Sequence, residues 1–219
     1  MNRSLRCCTR GALGLLVLAL LPATAQALPV ISEFFYDAVG SDDGLSFVEL
    51  YGTPGSSLAG LALEGVNGSN GAVGPSLALS GVIPADGIFV VADATAGGQT
   101  SVAGADLLLD FDFQNGPDSV VLRAGSVILD ALGYGVFAPG EVFAGEGAPA
   151  ADPAAGASLA RRFADVDTGD NAVDFMTLEV PTPGSAPLSA VPEPASAPLL
   201  GAGLAGLAAG CGRRRRNGA

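Results

Sequence analysis

The stretch Pro29–Gly52, "PVISEFFYDAVGSDDGLSFVELYG", decides how the rest of this chain is read. Two short runs rich in Val, Ile, Phe and Tyr flank a Gly-Ser-Asp-Asp-Gly turn, the pattern of short strands joined by polar turns. In "SFVELYG" Phe47 and Glu49 fall on one face while Val48 and Leu50 share the other, so the alternation is only partial. Working outward, "GIFVVAD" (87–93), "DSVVLRAG" (118–125) and "VILDALGYG" (127–135) repeat the theme. No run holds the 3.6-residue period for three turns, so the expectation is an all-β sandwich and not a helical domain. "GSDDG" (40–44), "VNGSNG" (66–71) and "QNGPDS" (114–119) supply the residues that tight turns need. Asn67-Gly68-Ser69 also matches a glycosylation sequon, for which a tight turn is the commoner explanation. The stretch 143–157 reads as a long irregular connection.

Charge narrows the partners. Residues 28–190 hold 21 carboxylates against 3 arginines and no lysine, a net −18. Such a field repels phosphate, and a nucleic-acid partner is excluded on that ground. The chain has no histidine, so histidine-based triads, histidine-ligated zinc and imidazole proton shuttles are excluded too. A carboxylate-only hydrolase of matrix polymer stays open as an alternative, although among so many acids an apparent pair arises by chance. The expectation is a protein that is not an enzyme.

The ends differ from the body. Residues 1–27 combine a basic start, an apolar run from Gly11 to Leu21 and a small-x-small ending at Ala25-Gln26-Ala27, the form of a signal peptide cleaved before Leu28. Cys7 and Cys8 would leave with it and Cys211 lies in the far tail, so no disulfide can form within the body. The domain is expected over 28–186, followed by a linker at 187–194 within a Pro-, Ser- and Ala-rich stretch that runs from Pro181 to Pro198. Residues 195–212 carry no charge and would form a transmembrane helix of about 27 Å at ~1.5 Å per residue, against a hydrocarbon core of ~30 Å. The basic tail 213–219, with Arg213, Arg214, Arg215 and Arg216, is expected in the cytoplasm and the body outside.

One acidic segment stands out as a metal candidate. Asp165, Asp167, Asp170 and Asp174 in "DVDTGDNAVD" offer hard oxygens of the kind calcium takes. The spacing departs from the EF-hand loop, with Met176 where its twelfth-position Glu belongs. The favoured alternative is an Asp-capped turn before a final strand containing Phe175, with no cofactor. Asp42 and Asp43 carry the same ambiguity, and Arg161 and Arg162 are expected to pair with these acids at the surface.

Several pieces together resemble the lamin-tail domain of exported bacterial proteins. The Ile-Ser-Glu and Phe-Val-Glu-Leu runs of 29–52 are followed in order by "SLAGLALEG", "IPADGIFVVAD", "NGPDSVVLRAG", "LDALGYG", "GASLARRFADVDTGDNAVDF" and "PTPGS". The resemblance covers 28–186 and implies an immunoglobulin-like β-sandwich used as a binding or scaffold module. The chain departs from it in having no Trp after "LAGLALEG". The tail is similar to a PEP-CTERM sorting signal: Pro192, Glu193 and Pro194, then an apolar segment, then the arginines. That similarity implies an exosortase-type enzyme as partner, transient anchoring in the cytoplasmic membrane, and delivery to the cell surface or extracellular matrix. Exopolysaccharide or another surface protein would be the partner there, and a calcium-dependent adhesin is the remaining alternative.

Overall fold

The computed structural model describes residues 28–189. In it the opening stretch forms two paired strands, β1 (Val30–Phe35) and β2 (Phe47–Tyr51). Next come β3 (Leu61–Asn67), β4 (Val73–Ala78), β5 (Ile88–Asp93) and the short β6 (Leu107–Leu109). The remainder adds β7 (Asp118–Ala124), β8 (Val127–Tyr134), β9 (Ser158–Arg161), one helical turn α1 (Asn171–Asp174) and β10 (Phe175–Leu178). The fold is all-β, as the sequence pattern predicts. A six-stranded sheet has the order β10-β9-β1-β2-β5-β6 and a four-stranded sheet the order β4-β3-β7-β8. Pairing is antiparallel except between β5 and β6.

The main core lies between the sheets. Val48 and Leu50 of β2 and Phe89 and Val91 of β5 share one buried cluster with Leu63 of β3, Val120 and Leu122 of β7 and Leu132 of β8. Phe34, Tyr36 and Tyr134 add stacked and tilted ring contacts, with Phe34 and Tyr36 4.9 Å apart at their centroids. The outer face of the larger sheet is covered as well. Phe35, Phe47 and Val90 form a second cluster there, with Val102 from the β5–β6 connection packed on it. Burial on both faces explains why Phe47–Leu50 alternates only partly, because neither face has to be polar.

Glu33 and Glu49 stand opposite each other across β1 and β2, and both are buried. Facing carboxylates are tolerated here because donors converge on them. Ser158 Oγ and the Thr182 N–H and hydroxyl donate to Glu33. Ser32 Oγ and the Gly184 N–H donate to Glu49. Burial pushes the Glu49 carboxyl above its ordinary value, with the Ser32 and Gly184 bonds opposing that. Residues 181–189, the start of the Pro-, Ser- and Ala-rich stretch, therefore lie along the sheet. Ala164 N–H donates to the Pro187 carbonyl and Ser189 N–H to Asp165 Oδ1, extending the attachment to the last described residue.

Among the described residues no helix is long and apolar enough to cross a membrane. The signal peptide, the Pro192–Pro194 motif, the 195–212 span and Arg213–Arg216 all fall outside the described residues.

Candidate functional site

Connections at one end of the sandwich build an open, polar cavity of about 510 Å³. The β1–β2 loop contributes Asp42, the β3–β4 turn Asn67 and Ser69, and the β8–β9 connection Glu141. The β6–β7 connection adds Asp112, Phe113, Gln114 and Asn115, and Asp118 sits at the start of β7. The three stretches read from sequence as turns, 40–44, 66–71 and 114–119, thus meet at one place. Their separate turn chemistry was legible, and their convergence was not.

The walls are held by hydrogen bonds that use one side-chain oxygen each of Asp42, Asp118 and Glu141. Asp42 Oδ1 accepts from Ala38 N–H at 2.8 Å, fixing the loop between β1 and β2. Asp118 Oδ1 accepts from Gly68 N–H at 2.6 Å, and Glu141 Oε2 accepts from Ala138 N–H. Asn67 Nδ2 donates to Gln114 Oε1, and Tyr134 hydroxyl donates to the Gln114 carbonyl at 2.8 Å, joining the β6–β7 connection to the rest. Close packing needs glycine at 68: a Cβ there would collide with the Pro117 carbonyl and the Phe137 ring. Asp118 is only 7% exposed. Burial lifts its carboxyl above the ordinary range; Gly68 N–H opposes the shift and the Glu141 charge adds to it. No basic side chain lines the cavity. Ser69 Oγ donates to the Asn67 amide oxygen, which is no base, so the lining pairs no nucleophile with a base.

The second acid-rich place surrounds Arg161. The sequence expectation of a surface pair is corrected here: Arg161 is 1% exposed and its guanidinium is saturated inside the protein. Nη2 donates to both oxygens of Asp130 at 3.0 Å, Nη1 to Asp174 Oδ2 at 2.8 Å and to Asp167 Oδ1 at 3.4 Å, and Nε to the Ile31 carbonyl. The Phe175 ring stacks 4.6 Å from its Cζ. The reason is positional. Arg161 ends β9 beside β1, on the side of the sheet where Asp130 of β8 and Asp174 of α1 have no other cation. Arg162, one residue on, points the other way and is exposed, with Nε donating to the Val173 carbonyl.

The four aspartates proposed for calcium are thereby divided among separate tasks. Asp165 accepts from Ser189, Asp170 caps α1 through Ala172 N–H, and Asp174 accepts from Arg161 and Thr168. This is the Asp-capped turn leading into the strand that contains Phe175. Asp167 alone of the four belongs to a group of three carboxylates, with Asp130 and Glu146, whose oxygens lie within 4.8 Å of one another. That spacing suits opposite ligands of a calcium ion at ~2.4 Å each. The Arg161 guanidinium already contacts two of the three, and an ion there would compete with it.

Glu146 is the member that sequence reading missed. Its carboxyl is pushed up to about 7, first by burial and then by the Asp130 and Asp167 charges, with Arg161 opposing. Its Oε2 is sealed from water with no hydrogen-bond partner among the described residues. Asn171 holds the segment in place, accepting from Glu146 N–H and Gly133 N–H while its own N–H donates to the Glu146 carbonyl. A Cβ at Gly145 would strike Asn171 Oδ1 and the Gly133 nitrogen, so the connection can lie flat on β8 only with glycine there.

Compared with known protein families, with curated proteins and with solved structures, the chain finds no match.

Proposed function

We propose that this protein is an exported, non-catalytic binding or scaffold module of the lamin-tail kind, an immunoglobulin-like β-sandwich delivered to the cell surface or extracellular matrix by a PEP-CTERM signal. The observation that carries the binding role is the loop-built cavity at one end of a double sheet, lined by hydrogen-bonding groups without a nucleophile–base pair. Delivery rests on the order of the tail: Pro192-Glu193-Pro194, an uncharged segment and four arginines. The prolines keep the backbone extended for a sorting enzyme, and the arginines oppose passage through the membrane.

The test is a pair of tail variants followed by fractionation and intact mass. Glu193→Ala keeps the anchor and removes the recognition carboxylate, so uncut protein should accumulate in the membrane fraction. Replacing Arg213–Arg216 by Ser weakens the anchor instead, so uncut protein should reach the medium or be degraded. If both variants mature and localise like wild type in a host with its sorting enzyme intact, the delivery reading fails.

A calcium-dependent adhesin is the second reading, favoured by the convergence of Asp130, Glu146 and Asp167. Surface retention abolished by EDTA and restored by calcium, and lost in Asp167→Ala, would replace the first reading with it.

A further inference from the structure

We propose that Asn67 is a self-modification site: the Gly68 backbone nitrogen closes on the Asn67 side chain, ammonia leaves, and aspartate or isoaspartate remains in the cavity wall. The inference goes beyond the binding reading and does not depend on it.

Three Asn-Gly pairs lie in the described residues, at 67–68, 70–71 and 115–116. A glycine after asparagine lets the following nitrogen approach the side-chain carbon, because no Cβ obstructs it. In sequence the three pairs are equivalent. The structure separates them by what surrounds the nucleophile and the carbonyl it attacks. Gly68 N–H donates to Asp118 Oδ1 at 2.6 Å, within the reach of a general base. Asn67 Oδ1 accepts from Ser69 N–H at 2.8 Å and from the Ser69 hydroxyl, two donors on the oxygen where negative charge gathers during attack. The Ser69 N–H bond also folds the side chain forward along the chain, over the peptide bond whose nitrogen attacks.

The other two pairs lack this combination. Gly71 N–H donates to the Asn67 backbone carbonyl, which is no base, and Asn70 Oδ1 has one donor, Ala72 N–H. At Asn115, among the described residues, no carboxylate accepts from Gly116 N–H and no donor meets the side-chain oxygen. Asn70 and Asn115 are exposed, whereas Gly68 and Asp118 are buried. Burial keeps water from the base and raises its carboxyl above the ordinary value, so it takes a proton more readily.

The reaction needs only these groups and water. The Gly68 nitrogen forms a bond to Asn67 Cγ and passes its proton to Asp118. The Cγ–Nδ2 bond then breaks, Asp118 returns the proton, and Nδ2 departs as ammonia, leaving a succinimide. Water adds across one of the two imide C–N bonds of that ring and gives aspartate or isoaspartate. The nucleophile is a backbone nitrogen and each chain reacts once, so no substrate is turned over. Either product ends the bond from Asn67 Nδ2 to Gln114 Oε1 and places a new carboxylate opposite Asp118, the cross-strand partner of position 67. The β3–β4 turn and the β6–β7 connection thereby lose a bond that joins them in the cavity wall.

The experiment incubates the purified full-length chain in heavy-oxygen water at neutral pH over days and follows Asn67, Asn70 and Asn115 by peptide mass spectrometry. Loss of ammonia marks the succinimide, and heavy oxygen in the residue marks its hydrolysis. In the folded chain Asn67 is expected to convert at least about tenfold faster than the other two, and faster than Asn67 itself in urea, because a positioned base contributes on the order of 10²–10⁴. Asp118→Asn keeps an oxygen for Gly68 N–H but cannot take its proton, so conversion should fall by about tenfold or more. Ser69→Ala removes the hydroxyl donor at an exposed position and should slow conversion severalfold, a second readout should Asp118→Asn misfold. Asp86→Asn removes an exposed acid outside the cavity wall and should leave the rate unchanged. Equal rates at the three asparagines, or slower conversion of Asn67 in the folded chain than in urea, overturns the proposal. So does an unchanged rate in folded Asp118→Asn or in Ser69→Ala, or an equal loss in Asp86→Asn.

Discussion

Around Arg161, Asp130 and Asp174 meet a guanidinium that is itself buried, whereas in the loop cavity Asp42, Asp112, Asp118 and Glu141 face no basic side chain. Both regions are rich in carboxylates, and neither is visible as a unit in the sequence. What separates them is where the compensation comes from. In the Arg161 cluster, Asp130 and Asp174 are closed internally, with the cation and the Ile31 N–H on Asp130 and the cation and Thr168 on Asp174. The cavity uses one oxygen of an acid to build its wall and leaves the other outward. A count of acids therefore says little about function, and the location of their counter-charge says a great deal.

The comparison breaks first at Arg161. Replacing it by Met leaves Asp130 and Asp174 buried without their cation, a change that costs about 3–5 kcal/mol in comparable pairs. Urea unfolding should show a loss of that size, and Asp130→Asn added to Arg161→Met should recover part of it by removing the uncompensated charge. A loss within the range of an ordinary surface substitution would mean that the cluster is not the closed unit described.

Glu146 gives a smaller effect with a defined sign. Its folded value of about 7 lies above its ordinary 4.5, so the folded state holds this proton more tightly than the unfolded chain. The stability it confers is full below about pH 4.5, declines as pH rises and is lost past about 7. Glu146→Gln should flatten that decline and unfold later than wild type at about pH 8, by on the order of 1 kcal/mol given the group's partial contact with water. An unchanged pH slope between the two proteins would place the titration elsewhere.

The smallest change in stability is expected in the cavity. Asp118→Asn keeps the Gly68 bond and removes a desolvated charge, so unfolding should shift by less than about 0.5 kcal/mol, or towards greater stability. Set beside Arg161→Met, that contrast sharpens the distinction: one acid-rich region holds the fold and the other is available to a ligand. A loss at Asp118 as large as at Arg161 would erase it.

The sequence by itself determined the all-β class and the strands β1, β2, β5, β7 and β8, because each is a dense run of β-branched, leucine or aromatic residues bounded by turn residues. It also favoured an Asp-capped turn before the strand that contains Phe175, and the structure places the cap at Asp170, a local hydrogen bond between near neighbours in the chain. Strands β3, β4, β6 and β9 were not singled out: Gly65 and Pro75 dilute two of them, and the other two span three and four residues, so their state is imposed by the strands beside them. Only the tertiary structure decided that Arg161 is interior and Arg162 is not, since burial depends on β1 and β8 arriving from far away in the chain. The same holds for the cavity. Positions 42, 67 and 118 each read locally as part of a turn, and a carboxylate becomes part of a site only when distant connections close around a shared space. The net −18 of the body fixed the sign of what such a space can attract, because charge adds along the chain regardless of fold, while its location waited on packing.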